Sequence, residues 1–516
     1  MNFYLITLLS ALSLCCYSWI GITPRTDFTT YLAFMLLSFG LYHALFVRLK
    51  EEQIILGIIA GFIFRICFLF FLPQLSDDYF RFLWDGKLVA NGINPFLYLP
   101  SELKIGHENI GLTQALFERL NSPQYYSVYP PVCQAVFGLA AALFPNNLLA
   151  EIVCMKAFIL LAEAGSLFFL YKLLQQNHFP LKNVLHYALN PLAIVELTGN
   201  LHFEAFMIVG ILGALYFLQS QQPYKGGLFF AIAVCSKLLP LMILPFFIRK
   251  MGMKQGILWT GFVLLLCLLA FAPFYHAQML PHFLQSTRLY FQSFEFNASI
   301  YYLAREIGYW IWGYNIIGIV GKIFPILVIW GILRKAFFSP PSSPLIYSQI
   351  EDLSLRASEQ EKTERSEVFS SERSEAILQR VKTVGLRLVG LLPLQGRRQR
   401  SLLKSLAFFR NDNDSFFISK NEKNNPTQMG ELGGKILFAF CLYFLFATTV
   451  NPWYIVPLLA FSTLTPYRFL TLWTILLPFT YYAYAHTPYH ESLGIVVVEY
   501  VLVMGYAGYE LMRVEY

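Results

Sequence analysis

The chain has 516 residues, of which 56% are hydrophobic, 17% aromatic and 13% charged, about half the charged share of a soluble domain. With a mean hydropathy of +0.52, this composition marks a multi-pass membrane protein and excludes a soluble enzyme and a disordered scaffold. The formal net charge of +7 does not indicate a nucleic-acid binder working through a basic face, because excess Lys and Arg in membrane proteins mostly reports orientation.

Apolar runs near the length of a spanning helix, about 20 residues, fall at 3–20, 28–48, 53–73, 128–145, 150–173, 183–198, 203–219, 226–247, 255–275, 308–333, 435–450, 465–485 and 490–511. The expected fold is all-α: a polytopic membrane protein of about 11–13 transmembrane helices, with a long first external loop carrying short helices. The first run, Met1 to Ile20, lacks a basic n-region and a small-x-small cleavage site, and reads as a spanning helix or an uncleaved signal anchor. Arg48 and Lys50 follow the second run, which puts that connection in the cytoplasm and loop 74–127 outside. Five runs further on, Arg249, Lys250 and Lys254 return to the cytoplasmic side, in agreement. The same count puts the turn at Gly199–Glu204 on the cytoplasmic side, opposite the loop, unless one of the short flanking runs does not cross.

Of the 69 charged residues, 28 lie between Arg334 and Gly434. The stretch 336–434 repeats Glu-Arg-Ser-Glu from Glu364 and from Glu372, with one weak apolar run at Val381 to Leu394. It reads as a cytoplasmic, low-order insertion between a transmembrane core at 1–335 and C-terminal transmembrane helices at 435–516. A basic amphipathic helix near Leu386 to Arg400 would rest on anionic lipid, and a plain linker is the simpler reading. The eight cysteines lie in apolar segments without CxxC spacing, as small buried hydrophobes rather than a disulfide framework or metal site.

The first external loop is the most informative segment. It opens Ser76-Asp77-Asp78-Tyr79-Phe80-Arg81-Phe82-Leu83-Trp84-Asp85-Gly86 and continues Asn91-Gly92-Ile93-Asn94-Pro95-Phe96. Interfacial anchoring accounts for the aromatics, and solvated salt links would account for Asp–Arg pairs. Adjacent Asp77 and Asp78 repel each other, however, which keeps one of them proton-accepting near neutral pH, as a base for a hydroxyl requires.

Further along, His202 and Glu204 stand between two short apolar runs, either as binding groups or as a polar turn capped by Asn200. Lys237 interrupts an apolar helix at an insertion cost of about 2.5–3.5 kcal/mol. It serves either an anion or a structural end, by snorkelling or by pairing with Glu163 or Glu196. Lys156 and Glu163, seven residues apart, read as a buried pair or as contacts to a neighbouring helix. The connection from Phe274 to Ile307 adds Arg288, Glu295, Asn297 and Arg305 among aromatics that suit a sugar ring or an interface. Asn297-Ala298-Ser299 is a formal glycosylation sequon, set aside without a eukaryotic secretory context.

The run Asp77-Asp78-Tyr79, Arg81 and Trp84-Asp85-Gly86, followed by Gly92-Ile93-Asn94-Pro95-Phe96, resembles the first external loop of polyprenyl-phosphate-sugar-dependent glycosyltransferases of superfamily C. The likeness is to their bacterial mannosyltransferase-like branch, related to the GPI-anchor mannosyltransferases. Tyr129-Pro130-Pro131, Leu189-Asn190-Pro191 through Gly199-Asn200-Leu201-His202-Phe203-Glu204-Ala205, Ser236-Lys237-Leu238-Leu239-Pro240-Leu241 and Pro452-Trp453-Tyr454 are similar to further motifs of that family, in its order. The resemblance covers about 55–335 and resumes near 435. The insertion lies outside it, and Asn451 stands where related sequences often carry His before Pro-Trp-Tyr, so no acid-base role is placed there.

The resemblance implies an integral-membrane glycosyltransferase moving a hexose, mannose by preference, from a polyprenyl-phosphate donor to an acceptor hydroxyl, with inversion. Asp78 is the implied base, with Asp77 as alternative base or metal ligand. Arg81, Asp85, His202, Glu204, Lys237, Arg288 and Arg305 are the substrate-binding candidates, the cations facing a phosphate leaving group. A divalent metal, Mg or Mn, is left open as cofactor. The implied partners are the lipid-linked donor, a lipid or glycan acceptor and membrane lipid, without nucleic acid. The implied location is a bacterial inner membrane, with the site facing the periplasm or exterior. A transporter or flippase of lipid-linked saccharides is the alternative, although such proteins usually carry internal repeats and neither the Asp-Asp nor the Lys237 segment recurs. A non-catalytic envelope scaffold is a third option. No Gly-rich phosphate loop or alternating strand–helix pattern points to a nucleotide sugar.

Overall fold

The computed structural model describes residues 2–103, 108–338 and 428–514. Most of the expected insertion, including the lipid-resting helix near Leu386 to Arg400, lies outside the described residues. Among the described residues the secondary structure is helical, and the single β-type pairing is a bridge between Phe296 and Thr449. Seven helices among the described residues are long and apolar enough to cross a bilayer: Tyr4–Ile22, Phe28–Arg48, Leu148–Gln176, Met253–Phe274, Ile317–Phe338, Met429–Phe446 and Leu493–Arg513. The molecule is an all-α, multi-pass membrane protein. The remaining expected spans are short or broken helices, which is why 11–13 continuous crossings are not seen.

The N-terminal half sets up the candidate site. Helix α1 (Asn2–Ile22) is followed by α2 (Phe28–Arg48), whose N-cap Asp27 accepts from the Thr30 N–H at 3.2 Å. Helix α3 (Ile54–Cys67) packs against the end of a short helix, Leu185–Ala188. The contact depends on Gly61, because a Cβ there would lie 2.2 Å from the Ala188 carbonyl oxygen. One turn on, Arg65 fills the same joint, donating to the Gly61 and Ala188 carbonyls at 2.9 and 2.6 Å and to Glu163 at 2.5 Å.

Loop 74–127 begins with α4 (Asp78–Ala90), and α5 (Pro131–Leu143) packs on it. The backbones approach closely at Gly86, where a Cβ would meet the Phe137 carbonyl oxygen at 2.6 Å. The expected span at 128–145 is thus a 13-residue helix held against α4. Beyond its end, Lys87 of α4 donates to the Pro145 carbonyl at 3.1 Å and to Glu151 at 2.7 Å. That segment keeps the chain with the loop, and α6 (Leu148–Gln176) starts from the loop's own end of the molecule.

This changes where the His202 turn lies. Pro191–Gly199 and α7 (Glu204–Gln219) form a pair bent by 114°. Asn200 at the bend accepts from the Leu75 N–H at 3.0 Å, and Lys156 ties Gly199 to Phe68 and Phe71 through three carbonyls at 2.7–2.9 Å. The turn therefore sits beside the start of the first loop, not opposite it. An apolar run of 18 residues looks the same in sequence whether it crosses or packs on a loop helix, and the count miscarried at 128–145. The expected span 226–247 is itself two pieces. Helix α8 (Pro223–Ser236) stops at Lys237, which has extended φ and ψ of −158° and 130°. The short α9 (Leu244–Met251) then turns back, bringing Phe247 within 5.0 Å of Phe230.

Candidate active site

Three helix N-termini and one helix C-terminus meet at the loop end of the molecule. Asp78 and Glu204 are the first residues of α4 and α7, Trp453 and Tyr454 stand in the first turn of helix Pro452–Ser462, and Lys237 closes α8. Acids at N-termini and a cation at a C-terminus agree with the helix dipoles. Asp78 is half-buried and accepts from the Asn121 amide at 2.8 Å. Burial raises its pKa above the ordinary carboxylate value, the Asn121 bond opposes this, and the Glu204 and Asp77 charges raise it further, against the pull of Lys237.

Lys237 is ion-paired with Glu204, and its ammonium lies 3.7 Å from the centre of the Tyr454 ring. The lysine side chain is 32% exposed and the glutamate 7%, so the lysine is partly open while its partner is covered. The bend before α7 places Leu201 at a φ of 63°, a left-handed conformation costly for a residue with a Cβ. It is held by burial and by the His202 N–H bond to the Leu197 carbonyl at 3.0 Å. His202 stacks on Trp453 with ring centres 3.8 Å apart. Its Nδ1 donates to the Glu196 carbonyl at 2.8 Å, which leaves Nε2 as an acceptor. That atom is buried and has no hydrogen-bond partner among the described residues. The arrangement brings together a half-buried carboxylate, a lysine ammonium and an aromatic wall with one unmet acceptor.

Residues 13–252 match the family model of the MptA_B family, described as alpha-(1->6)-mannopyranosyltransferase, N-terminal domain. This match supports a mannosyltransferase-like glycosyltransferase. No curated protein and no solved structure matches the chain. The matched segment contains Asp77, Asp78, His202, Glu204 and Lys237, while Trp453 and Tyr454 of the transferase lie beyond it.

The other candidates of the transferase are placed apart from this opening or fully engaged. Arg81 and Asp85 are buried and bonded to each other at 2.7 Å. Arg81 also donates to the Tyr125 carbonyl at 2.8 Å, and Asp85 accepts from Ser127 at 2.5 Å and Gln134 at 3.1 Å. The pair fastens the returning loop to α4. Arg305, on helix Ile300–Trp312, is bonded to Glu295 at 2.6 Å and Glu306 at 3.2 Å and lies over Tyr302. Arg288 is exposed on helix Met279–Ser293. Lys156 and Glu163 do not pair with each other: each bonds a neighbouring element, and Lys237 takes Glu204 rather than Glu163 or Glu196.

Four site residues have no role in the sequence reading. Arg25, between α1 and α2, pairs with Asp77 and lies 4.6 Å from the centre of the Tyr484 ring. Nothing near Arg25 in sequence announces this, since its partner is 52 residues away. Asn121 was equally silent, whereas Pro452-Trp453-Tyr454 was visible as a motif without a function. Asn451 occupies the N-cap position of that helix, and its carbonyl accepts from the Tyr454 N–H at 3.0 Å. As for a divalent metal, among the described residues no three His, Cys, Asp or Glu side chains group to hold one. Asp77 and Glu204 are ion-paired with Arg25 and Lys237.

Proposed function

We propose that the protein transfers a mannosyl residue from a polyprenyl-phosphate donor to an acceptor hydroxyl, with inversion, on the extracytoplasmic face of the membrane. The observation that supports this best is the convergence of half-buried Asp78 with the Glu204–Lys237 pair. Asp78 takes the proton of the acceptor hydroxyl as its oxygen bonds to the anomeric carbon. The bond from that carbon to the phosphate oxygen breaks, and its electron pair leaves on the polyprenyl phosphate. Lys237, moving from Glu204, meets the charge that develops there. A carboxylate whose pKa is raised by burial is a better base at neutral pH than a free one. An α-linked product, as in the matched family's description, follows by inversion from a β-linked donor. The basic residues Arg48 and Lys50, at the far end of α2 from the Asp27 connection, support the extracytoplasmic assignment.

The test supplies purified protein with radiolabelled polyprenyl-phosphate mannose and envelope lipid acceptors. Asp78→Asn should lower transfer by roughly 10²–10⁴-fold with the protein still folded. Undiminished transfer by that variant would remove Asp78 as base. Movement of the sugar-lipid across vesicles by the wild type, without transfer, would mark a transporter instead.

A further inference from the structure

Asp77 occupies the N-cap position of α4, yet its side chain makes no capping bond to the helix. Its carboxylate is instead engaged by the Arg25 guanidinium, reaching in from the connection between α1 and α2. Arg25 is fixed on two further sides: its N–H donates to the Gln74 carbonyl at 3.3 Å, and its guanidinium lies over the Tyr484 ring. The neighbouring Asp78 carboxylate is bonded to Asn121 instead. Two adjacent carboxylates at the start of one helix are thus given different partners. Each side chain of the Arg25–Asp77 pair is partly exposed, 27% and 39%, which places it at the edge of the site and not in the packed interior.

We propose that Arg25 is a positioning residue for the transfer reaction: it takes Asp77 out of the acidic pair, so that Asp78 alone meets the acceptor hydroxyl. This rests on the reading of Asp78 as base. The groups facing Asp78 are Asp77 on its own helix, Glu204 from α7, Lys237 from the end of α8, and the Tyr454 and Tyr484 rings from the C-terminal part. Among them Lys237 is spent on Glu204, so the Asp77 charge needs its own counterion. Without Arg25, the bare Asp77 charge repels the Asp78 anion and makes Asp78 hold its proton to higher pH.

The experiment is the pH profile of kcat/KM for full-length wild type, Arg25→Gln, Asp77→Asn, the double variant and Arg25→Lys, with melting temperature measured on each. Arg25→Gln should move the acid limb up by about one pH unit, a loss of about tenfold below the limb. Asp77→Asn should move it down, the double variant should return it near the wild-type position, and Arg25→Lys should leave it there. An unmoved limb in Arg25→Gln, or a uniform loss at all pH values with a lowered melting temperature, overturns the proposal. A limb displaced equally in Arg25→Gln and in the double variant also overturns it, because the effect would then not run through Asp77. If Asp78→Asn is inactive while the Arg25→Gln limb stays in place, this proposal falls and the assignment of the base stands. An active Asp78→Asn removes both.

Discussion

Arg65, Lys156 and Glu163 lie inside the helix assembly with 0% exposure, whereas Asp78, Glu204 and Lys237 gather at its loop end. In the interior these three charges are held by several partners each. Lys156 holds three backbone carbonyls, Arg65 holds three carbonyls and Glu163, and Glu163 also accepts from the Tyr187 hydroxyl. At the loop end Lys237 has one carboxylate and an aromatic face with its side chain a third exposed, and Asp78 has one amide partner. A charge in a membrane protein is costly in either place. The interior group recovers that cost from the fold itself, while the loop-end group retains capacity for a ligand.

The strongest way to break this contrast is Arg65→Leu. It strands the Glu163 carboxylate, and a half-removed buried pair typically costs about 3–5 kcal/mol. The melting temperature in detergent should fall sharply, with the folded fraction still competent in transfer. Next in size, the pair Lys237→Met and Glu204→Gln removes both site charges together. Here kcat/KM should fall roughly 10²-fold while the melting temperature holds. A melting loss like that of Arg65→Leu would move Lys237 into the interior class. The smallest effect is expected for Ser127→Ala, which takes one hydrogen bond from buried Asp85. It should lower stability by about 1.5 kcal/mol and leave the pH profile of transfer in place.

Much of the candidate site was legible because its residue types are out of place locally. Two adjacent acids before an amphipathic helix and a lysine in an apolar run stand out without any structure, and the structure does bring Asp78, Glu204, His202 and Lys237 to one end. Arg81 and Asp85 carried the same local signal, being charged and next to the acids, but their i,i+4 spacing and the returning loop turn them into a fastener. Sequence proximity to a site does not distinguish a group that faces the ligand from one that holds the backbone. Arg305 was likewise conspicuous, yet Glu295 and Glu306 occupy it.

The sequence alone determined that this is an all-α membrane protein of mannosyltransferase type, with an acidic first loop and a cation at Lys237. Those features follow from composition and from motifs a few residues long, which survive whatever the chain does elsewhere. Only the tertiary structure decided that α5 stays with the loop, that the His202 turn joins Asp78, and that Lys237 faces Glu204 and Tyr454. It also decided that Arg25 reaches Asp77. Each of these depends on groups brought together from distant parts of the chain, and the apolar runs between them are interchangeable in composition, so their packing had to be seen.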